Sequence, residues 1–306
     1  MTVTIPSPSM PVFRRTTAHL LKLAPRLTRL TLRLANSIAL VNGGRVQIAA
    51  TFAGARMFVD ITDLIGTCIF HFGVWEPHLS AFIQTRLKPS DVFCDVGANI
   101  GYHTLLAAPI VGASGKVVAI EASPIILQDL KRNVELNNAT NIRIVAAAVA
   151  DRACTLTLYH PPYANRGATT TVASRNFVPE TEVQAQPLGD ILSSDEKKRV
   201  RLIKIDVEGA EGPIMQNLLE TIDEYSDSVE IICEMSTTDT TPGAPDANTL
   251  VKRFAEAGFR AFEIPNSYEL SSYPSFKRAQ GPELIRSPLT EERDVVFSRH
   301  LSTLKL

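Results

Sequence analysis

The sequence predicts an α/β fold, with a mostly parallel sheet covered by helices on both faces. Over residues 91–146 short apolar runs alternate with segments of helical period, in the order strand, helix, strand, helix, strand. Such alternation is typical of parallel sheets, because parallel neighbours need a crossover connection that is usually a helix. The apolar runs around 202–205 and 229–233 resume the pattern, so we expect the sheet to continue through the second half of the chain.

The predicted strands and helices from residue 91 onward follow one another in chain order. Strands are expected at residues 91–95, 116–121, 142–146, 155–159, 202–205, 229–233, 259–264 and 294–298. Helices are expected from about residue 101 and at 124–137, 210–223 and 246–257. The last two strands are separated by the Pro- and Ser-rich stretch 265–293, and we expect them to pair as an antiparallel hairpin that ends the sheet.

A small β cap is expected at residues 43–77, ahead of the main domain at 78–306. Residues 45–63 alternate apolar and polar side chains in hairpin fashion, and residues 78–87 have the pattern of a helix. The overall charge of -1 hides an asymmetry, since residues 1–59 carry eight Lys and Arg and no Asp or Glu. The basic charge is therefore concentrated before the main domain.

Residues 1–42 have the pattern of a basic tail and an amphipathic helix. Leucines and basic residues recur at steps of three and four on neighbouring faces: Leu20, Leu23, Leu27, Leu30 and Leu34 beside Lys22, Arg26, Arg29 and Arg33. Pro25 starts or kinks the helix. Either the leucines dock on the core with the arginines in water, or residues 20–34 contact an anionic membrane or an acidic partner. We predict peripheral membrane contact, and not nucleic acid, because the basic stretch lacks aromatic residues for base stacking.

The cysteines and the apolar runs favour a cytoplasmic protein. Cys68, Cys94, Cys154 and Cys233 are widely spaced without a C-x-x-C pair, so we expect reduced thiols rather than disulfides or zinc ligands. No run reaches the ~20 apolar residues of a membrane span, and the N-terminus lacks the charge order of a signal peptide. We assign no metal to the cysteines.

The turn after the first strand of the main domain gives the strongest indication of a ligand. Gly97 and Gly101 flank Asn99, whereas a Rossmann dinucleotide loop has a glycine in that middle place for a pyrophosphate. Asp95 lies just ahead of the turn, where a carboxylate repels phosphate and suits an ammonium or a sulfonium. Glu121 ends the next strand, at the spacing of an acid that accepts hydrogen bonds from ribose hydroxyls. Together these features predict S-adenosyl-L-methionine; the alternative is simple helix–strand packing.

Acidic residues also end the later strands. Since ligands of open α/β sheets bind beyond the carboxyl ends of the strands, we expect Asp95, Glu121, Asp206 and Glu234 to gather at one rim. Glu208 and Glu211 follow Asp206 at the start of a helix. A structural role is open for all of them, because Asp206 could cap that helix and the two glutamates could face its positive end. We expect this structural role for Glu211 and a functional one for Asp206 and Glu208.

Methyl transfer from a sulfonium requires the protein to align an acceptor and to take its proton. The candidate bases for an alcohol acceptor are Asp206, Glu208, Glu234, His103 and His160. The polar stretch of residues 160–187 lacks a regular period, and we interpret it as an irregular excursion on the acceptor side. Carboxylates could alternatively hold Mg²⁺ against a diol, although Glu208 and Glu211 form no recognisable metal loop, and we assign no metal.

Two blocks carry a resemblance to a known family. Residues 95–102, Asp-Val-Gly-Ala-Asn-Ile-Gly-Tyr, and residues 203–211, Ile-Lys-Ile-Asp-Val-Glu-Gly-Ala-Glu, together with Glu121, resemble the signature of the FkbM family of S-adenosylmethionine-dependent methyltransferases. The similar region covers roughly residues 66–264. Residues 73–77, Gly-Val-Trp-Glu-Pro, resemble the family's lead-in to the first strand.

The resemblance implies O-methylation, often of sugar hydroxyls in polysaccharides, glycolipids or other natural products. It implies a class I methyltransferase fold, Rossmann-like with a mostly parallel sheet of seven strands, and it suggests that Glu76 approaches the methionine end of the cofactor. The chain departs from the family pattern at Leu188-Gly189-Asp190, where a Leu-Asp-Asp segment is common. It departs again at Glu121-Ala122-Ser123-Pro124, where the proline is shifted.

We predict an S-adenosylmethionine-dependent O-methyltransferase with a small-molecule or glycan acceptor. The residues expected to bind the cofactor are Glu76, Asp95, Gly97, Asn99, Gly101, Tyr102, Glu121 and Ala148. The residues expected to act in catalysis are Asp206, Glu208 and Glu234. Three alternatives are a methyltransferase for a non-sugar metabolite, a non-catalytic cofactor-binding module, and an NAD-dependent dehydrogenase, which Asn99 disfavours.

Overall fold

The structure is a computed structural model that describes residues 28–160, 169–173, 177–237, 241, 243–270, 272–273 and 279–301. The elements before the main sheet are α1 (Thr28–Gly43), β1 (Val46–Ala50), β2 (Arg56–Asp60), α2 (Leu64–Phe72) and α3 (Pro77–Arg86). The first half of the main domain contains β3 (Val92–Val96), α4 (Tyr102–Val111), β4 (Lys116–Glu121), α5 (Pro124–Leu136) and β5 (Ile142–Ala146).

The remaining elements complete a small side sheet and the second half of the main sheet. The side sheet and the two short helices after it are β6 (Ala148–Val149), β7 (Cys154–His160), β8 (Val178–Gln186), α6 (Leu188–Ile191) and α7 (Ser194–Arg199). The last elements are β9 (Val200–Ile205), α8 (Glu211–Glu220), β10 (Glu230–Met235), α9 (Ala247–Glu256), β11 (Arg260–Ile264), β12 (Glu283–Leu284) and β13 (Arg293–Ser298).

The main sheet has the predicted α/β architecture. Its strand order is β12-β11-β13-β10-β9-β3-β4-β5. The five strands from β10 to β5 run parallel, whereas β13 pairs antiparallel with both β10 and β11. The antiparallel hairpin at the end of the sheet is confirmed, with its last strand inserted beside β10. The two-residue strand β12 is an eighth strand beyond the predicted seven.

Apolar side chains cover both faces of this sheet. Phe93 and Leu202 belong to a core that includes residues of α2, α3 and α4. Cys94 and Ile203 belong to a second core that includes residues of α8 and α9. Because side chains alternate along a strand, the neighbouring Asp95 and Lys204 fall on opposite sides from Cys94 and Ile203, and both are buried. Two ionisable side chains are therefore buried on the face of the sheet that carries Phe93 and Leu202.

The predicted hairpin before the main domain is confirmed, since β1 and β2 pair antiparallel. The backbone N–H of Phe58 donates to Asn133 Oδ1 of α5 at 2.7 Å, and that of Arg56 donates to Oδ1 of Asn137, the C-cap of α5, at 2.9 Å. Met57 of the hairpin lies in the same core as the first face of the sheet. The β cap and the sheet therefore share apolar packing.

Helix α1 extends beyond the predicted basic helix at its C-terminal end. Leu20, Leu23, Leu27, Lys22, Pro25 and Arg26 lie outside the described residues. In the described part, Leu32 and Ala35 are buried, but Leu30 and Leu34 are 66% and 63% exposed. Docking on the core is therefore wrong for these two leucines. No helix in the described ranges is both long and apolar enough to cross a membrane.

The stretch 160–187 is less irregular than the sequence suggests. Residues 178–186 form β8, which pairs antiparallel with β7 and parallel with β6 in a sheet of three strands. Most of its side chains are exposed or half-buried, so the strand shows no apolar period. The prediction of irregular structure is therefore wrong for residues 178–186. Residues 161–168 and 174–176 lie outside the described part of the chain. All four cysteines are free thiols, and Cys154 is half-buried.

Candidate active site

Two adjoining cavities lie beyond the carboxyl ends of the parallel strands. The first, called the Glu121 cavity, is lined by Glu121, Ser123, Ala148, Leu158, Thr169 and Thr171 among others. The second, called the Glu234 cavity, has a volume of about 290 Å³ and is lined by residues that include Trp75, Glu76, Tyr102, His103, Lys204, Glu234, Tyr268 and Glu292. Both cavities share Gly97, Asn99, Asp206 and Glu208. The two sequence motifs therefore form the boundary between the cavities.

The glycine turn after β3 is shaped by contact with the end of β9. Gly97 has a φ of +74°, and a Cβ on it would lie 1.8 Å from the backbone oxygen of Asp206. The backbone N–H of Asp206 donates to the oxygen of Val96 at 3.1 Å. Asn99 also has a positive φ, of 51°. Glycine is required at residue 97 because a side chain would separate the two strand ends.

Glu121 is held in a fixed orientation at the end of β4. Its Oε2 accepts from the backbone N–H of Asn99 at 2.8 Å, and its Oε1 accepts from that of Ser123 at 2.9 Å. Burial raises the pKa of Glu121 to about 7, against the lowering effect of these backbone donors. A carboxylate oxygen has two lone pairs, so each oxygen can accept one further hydrogen bond from a ligand.

Asp95 lies beneath the turn rather than in either cavity. Its side chain is buried, and its Oδ2 accepts from the hydroxyl of Thr104 at 2.6 Å. Burial raises the pKa of Asp95, while Lys204 and Thr104 act in the opposite direction. Gly101 is likewise absent from the described lining residues and ends the turn with a φ of +91°. Both residues support the turn, so any influence of Asp95 on a ligand is electrostatic.

Lys204 is the buried cation of the Glu234 cavity. Its Nζ lies 2.8 Å from Asp206 Oδ2. Burial lowers the pKa of Lys204, but Asp206, Asp95 and Glu76 outweigh burial and raise it, so the ammonium stays charged. The sequence contains a signal for this residue, since a lysine interrupts the apolar run of a buried strand. The pairing fixes one oxygen of Asp206 and leaves the other for the cavity.

Asp206, Glu208 and Glu234 converge from the ends of two neighbouring strands. One carboxylate oxygen from each lies within 4.8 Å of the others. Burial, and next the charge of Asp206, raise the pKa of Glu208 to about 8 and that of Glu234 to about 11. Glu208 has a φ of 56°, and its backbone oxygen accepts from the hydroxyl of Thr170 at 2.5 Å. Thr170 thus helps to hold the backbone of Glu208 in a strained conformation.

Glu76 and His103 also line the Glu234 cavity. Glu76 is buried, its Oε1 accepts from the Tyr268 hydroxyl at 3.2 Å, and its Oε2 lies 3.5 Å from His103 Nε2. Burial, and next the charge of Lys204, lower the pKa of His103 well below its ordinary value, so the imidazole is neutral. Tyr268 also donates towards Glu234 Oε1, at 2.9 Å, and packs against Trp75. Sequence reasoning missed Tyr268, because the stretch around it has no regular pattern.

The structural role expected for Glu211 agrees with its contacts. Its carboxylate accepts hydrogen bonds from the backbone N–H groups of Val207 and Gly209, at 3.1 Å and 2.9 Å. Ala210 is the N-cap of α8, and it provides no side-chain cap. Asp206 is therefore not the helix cap that its position suggested. His160 ends β7 and is not among the described residues that line either cavity.

Comparisons with known proteins agree with these motifs. The family model described as "Methyltransferase FkbM domain" matches residues 95–261, which is more than half of the chain. "Methyltransferase 1" of Beauveria bassiana is 26% identical over 161 residues, which cover 46% of this chain and 63% of that protein. A protein-L-isoaspartate O-methyltransferase of Methanococcus aeolicus is 30% identical over 70 residues, which cover 22% of this chain and 32% of that protein. The matches span less than two thirds of the length of either curated relative.

Two solved structures are also similar to this chain. The methyltransferase FkbM of Methylobacillus flagellatus has 14% identity and a TM-score of 0.37, with 76% of this chain and 52% of that chain covered. An S-adenosylmethionine-dependent O-methyltransferase of Thermotoga maritima has 15% identity and a TM-score of 0.40, with 89% and 83% covered. The family match rests on the sequence and contains both motifs that line the two cavities. The chain therefore belongs to the FkbM methyltransferase family.

Proposed function

We propose that this chain transfers the methyl group of S-adenosylmethionine to a hydroxyl group, and that the acceptor is a sugar in a polysaccharide, glycolipid or other natural product. The observation that supports this proposal best is the meeting of the Glu121 cavity and the Glu234 cavity at Gly97, Asn99, Asp206 and Glu208. A cofactor held across that boundary would lie with its nucleoside in one cavity and its reactive centre in the other. In this proposal residues 78–306 form the methyltransferase domain, and Trp75 and Glu76 at the end of the β cap complete the site.

The residues present fit this cofactor. Glu121 has spare lone pairs for the two ribose hydroxyls, and Ala148 offers an apolar wall to the base. Glu76 Oε2 is buried without a hydrogen-bond partner in the described residues, and it is available to a methionine ammonium. The carboxylates around the second cavity favour a ligand that carries positive charge.

Asp206, assisted by Glu208, is the residue we assign to the acceptor. S-adenosylmethionine supplies a methyl group that its sulfonium already activates, so the protein has to orient the acceptor oxygen and take its proton. Lys204 fixes one oxygen of Asp206 at 2.8 Å, and the other can accept the hydroxyl proton. Glu234 and Glu208 are secondary candidates, because their raised pKa values favour the protonated form.

A sugar acceptor is supported by the resemblance and by the composition of the Glu234 cavity. Carboxylates can accept hydrogen bonds from several hydroxyls, and the rings of Trp75 and Tyr268, with centroids 5.7 Å apart, offer apolar surface to a sugar face. A non-sugar alcohol is the alternative. The intact pair of Asp206 and Glu208 at the boundary favours catalysis over a non-catalytic binding role.

Replacing Glu121 with Ala tests the cofactor site. We expect the affinity for S-adenosylmethionine to fall by about 1.5–3 kcal/mol, because charge-assisted hydrogen bonds to the ribose are lost. Calorimetric titration measures this change. Glu135→Ala is the matched control, since it removes the same charge from an exposed site on α5. Equal affinity in Glu121→Ala and in the control would contradict the assignment.

The same site predicts a pH dependence of cofactor affinity. Glu121 accepts charge-assisted hydrogen bonds from the ribose only when it is ionised, and burial raises its pKa to about 7. Affinity should therefore rise as the pH increases through that value, by roughly tenfold from about pH 6 to pH 8. In Glu121→Gln this rise should be largely lost. A Gln variant with the full pH dependence of the wild type would assign the titration to another group.

We further propose that α1 contacts an anionic membrane surface. Leu30, Leu34 and Val41 are exposed on this helix, at 66%, 63% and 87%, and Arg33 is exposed beside them. Residues 1–59 carry eight basic and no acidic residues. An exposed apolar stripe in such a basic segment is complementary to a membrane with anionic lipids.

Vesicle sedimentation tests this membrane contact. The full chain should bind phosphatidylserine vesicles at low salt, and binding should weaken as salt is raised. The double variant Leu30→Gln and Leu34→Gln should bind about tenfold less tightly, whereas Ile125→Gln, at an exposed isoleucine on α5, should bind like the wild type. Full chain that stays in the supernatant at low salt would refute the contact.

A further inference from the structure

We propose that Glu234 is a neutral carboxylic acid in the cofactor-bound enzyme, that Tyr268 keeps its proton in place, and that Glu234 orients the acceptor instead of taking its proton. The part that concerns the cofactor and the acceptor rests on the proposed function. The protonated state of Glu234 rests on hydrogen bonding and charge in the Glu234 cavity. Glu234 and Tyr268 are therefore positioning residues, and Asp206 remains the base.

The Tyr268 hydroxyl contacts two carboxyl groups but has only one proton. Its oxygen lies 2.9 Å from Glu234 Oε1 and 3.2 Å from Glu76 Oε1. The hydroxyl can donate its proton to one of these oxygens, and towards the other it can only accept. An ionised carboxylate has no proton to donate, so the second contact requires a protonated carboxyl group. The two contacts therefore indicate that either Glu76 or Glu234 carries a proton.

The cofactor decides which of the two glutamates keeps this proton. Glu76 Oε2 is the oxygen available to the methionine ammonium, and a bound ammonium favours the ionised form of Glu76. The Tyr268 hydroxyl then donates to Glu76 Oε1 and accepts from the carboxyl group of Glu234. The second oxygen of Glu234 is left for a hydroxyl of the acceptor, because a neutral carboxyl group still accepts hydrogen bonds.

The charges around Glu234 also favour its neutral form. Glu234 and Asp294 are partners on neighbouring antiparallel strands, β10 and β13. Lys204, the lysine of the cavity, is paired with Asp206 at 2.8 Å. Burial, and next the charge of Asp206, raise the pKa of Glu234 to about 11. Besides Tyr268 and Glu76, the titratable groups that face it are Asp206, Glu208, Glu292, Asp294 and Lys204.

A neutral Glu234 suits the chemistry of methyl transfer. The sulfonium loses its positive charge as the methyl group leaves, so a nearby negative charge stabilises the reactant more than the transition state. Asp206 has to be ionised to accept the hydroxyl proton, and the ammonium of Lys204 stabilises that charge. One oxygen of Asp206 and one of Glu234 lie within 4.8 Å of each other. Different protonation states give these two neighbouring carboxyl groups different roles.

Infrared difference spectroscopy of the full chain with S-adenosylhomocysteine, the demethylated product, tests the protonated state. A protonated carboxyl group has a carbonyl band that a carboxylate lacks, and deuterium oxide shifts this band. We expect the band at about pH 9.5, where Glu121 and Glu208, whose pKa values burial raises to about 7 and about 8, are ionised. Glu234→Gln should remove it. Glu292→Gln, which removes an exposed carboxyl group from the same cavity, should keep it.

Tyr268→Phe tests the part played by the hydroxyl. This variant keeps the ring, whose centroid lies 5.7 Å from that of Trp75, but it removes the oxygen that accepts the proton of Glu234. The pH midpoint at which the band disappears should fall by at least about one pH unit, which is a tenfold change in acidity. The fluorescence of Trp75, the single tryptophan, should follow the same titration. A role in packing alone predicts an unchanged midpoint.

Two results would overturn the proposal. A band that persists in Glu234→Gln at about pH 9.5 would place the proton on another group, and an unchanged midpoint in Tyr268→Phe would exclude the hydroxyl. Thermal unfolding verifies that each variant is folded. Calorimetry with S-adenosylhomocysteine keeps the proposed function separate. Failure of this compound to bind would refute the proposed function, and spectra of the free chain would still decide whether Glu234 is protonated.

Discussion

Replacing Asp206 with Asn is expected to lower the rate of methyl transfer by about 10²–10⁴-fold, which is the usual contribution of a general base. The substitution keeps the shape of the side chain, and the carboxamide oxygen can still accept from Lys204, which lies 2.8 Å from Asp206 Oδ2. It removes the charge that accepts the hydroxyl proton. Affinity for S-adenosylmethionine should therefore change by less than about threefold, since Glu121 and the turn are untouched.

Glu211→Gln separates catalysis from structural support. Glu211 fixes the loop after Asp206 through the N–H groups of Val207 and Gly209. Its substitution should lower the free energy of unfolding by about 1–3 kcal/mol, while the folded fraction retains most of its turnover. Thermal stability, cofactor affinity and methyl transfer are measured on the same sample of each variant. Near-normal turnover in Asp206→Asn would move the search for the base to Glu234, Glu208 and His103, which line the same cavity.

Replacing Gly97 with Ala is expected to have the largest effect on stability. A Cβ there would lie 1.8 Å from the backbone oxygen of Asp206, and the φ of +74° is unfavourable for alanine. Both strand ends would have to move apart, at a cost of at least about 3 kcal/mol, and the boundary between the two cavities would be disrupted. Urea unfolding and cofactor titration measure the two effects.

Gly258→Ala is the matched control for Gly97. Gly258 also has a positive φ, of +86°, but a Cβ on it would meet nothing within 4 Å. Its replacement should cost about 1–2 kcal/mol for the backbone conformation alone, with cofactor affinity unchanged. If Gly97→Ala were no more destabilising than Gly258→Ala, the close approach of the two motifs would not be important for stability.

Much of the main sheet could be predicted from the sequence, because buried parallel strands are short, nearly continuous apolar runs. The strand expected at residues 116–121 is β4 with the same bounds, and the one expected at 142–146 is β5. Strand β8 could not be predicted this way, since an exposed, mostly polar strand carries no apolar period. The two-residue β12 is too short for any pattern.

The candidate site was predictable where position along a strand fixes position in space. Asp206 and Glu234 end neighbouring strands, so the sequence places both at the same rim, and the structure brings them together. Tyr268 reaches the site from a long connection whose path depends on tertiary packing, and no local pattern indicates it. Asp95 also ends a strand, but it does not reach the site. The alternation of side chains along β3 directs its carboxylate towards Thr104, under the turn, and not into a cavity.

Calorimetric titration of the full chain with S-adenosylmethionine and with NAD tests the central claim most directly. We expect binding of S-adenosylmethionine and of its demethylated product, on the evidence of the turn around Asn99, the buried Asp95 and the ribose acceptor Glu121. NAD should bind at least about a hundredfold more weakly, because its pyrophosphate would meet carboxylates instead of backbone donors. Tighter binding of NAD than of S-adenosylmethionine would contradict the account.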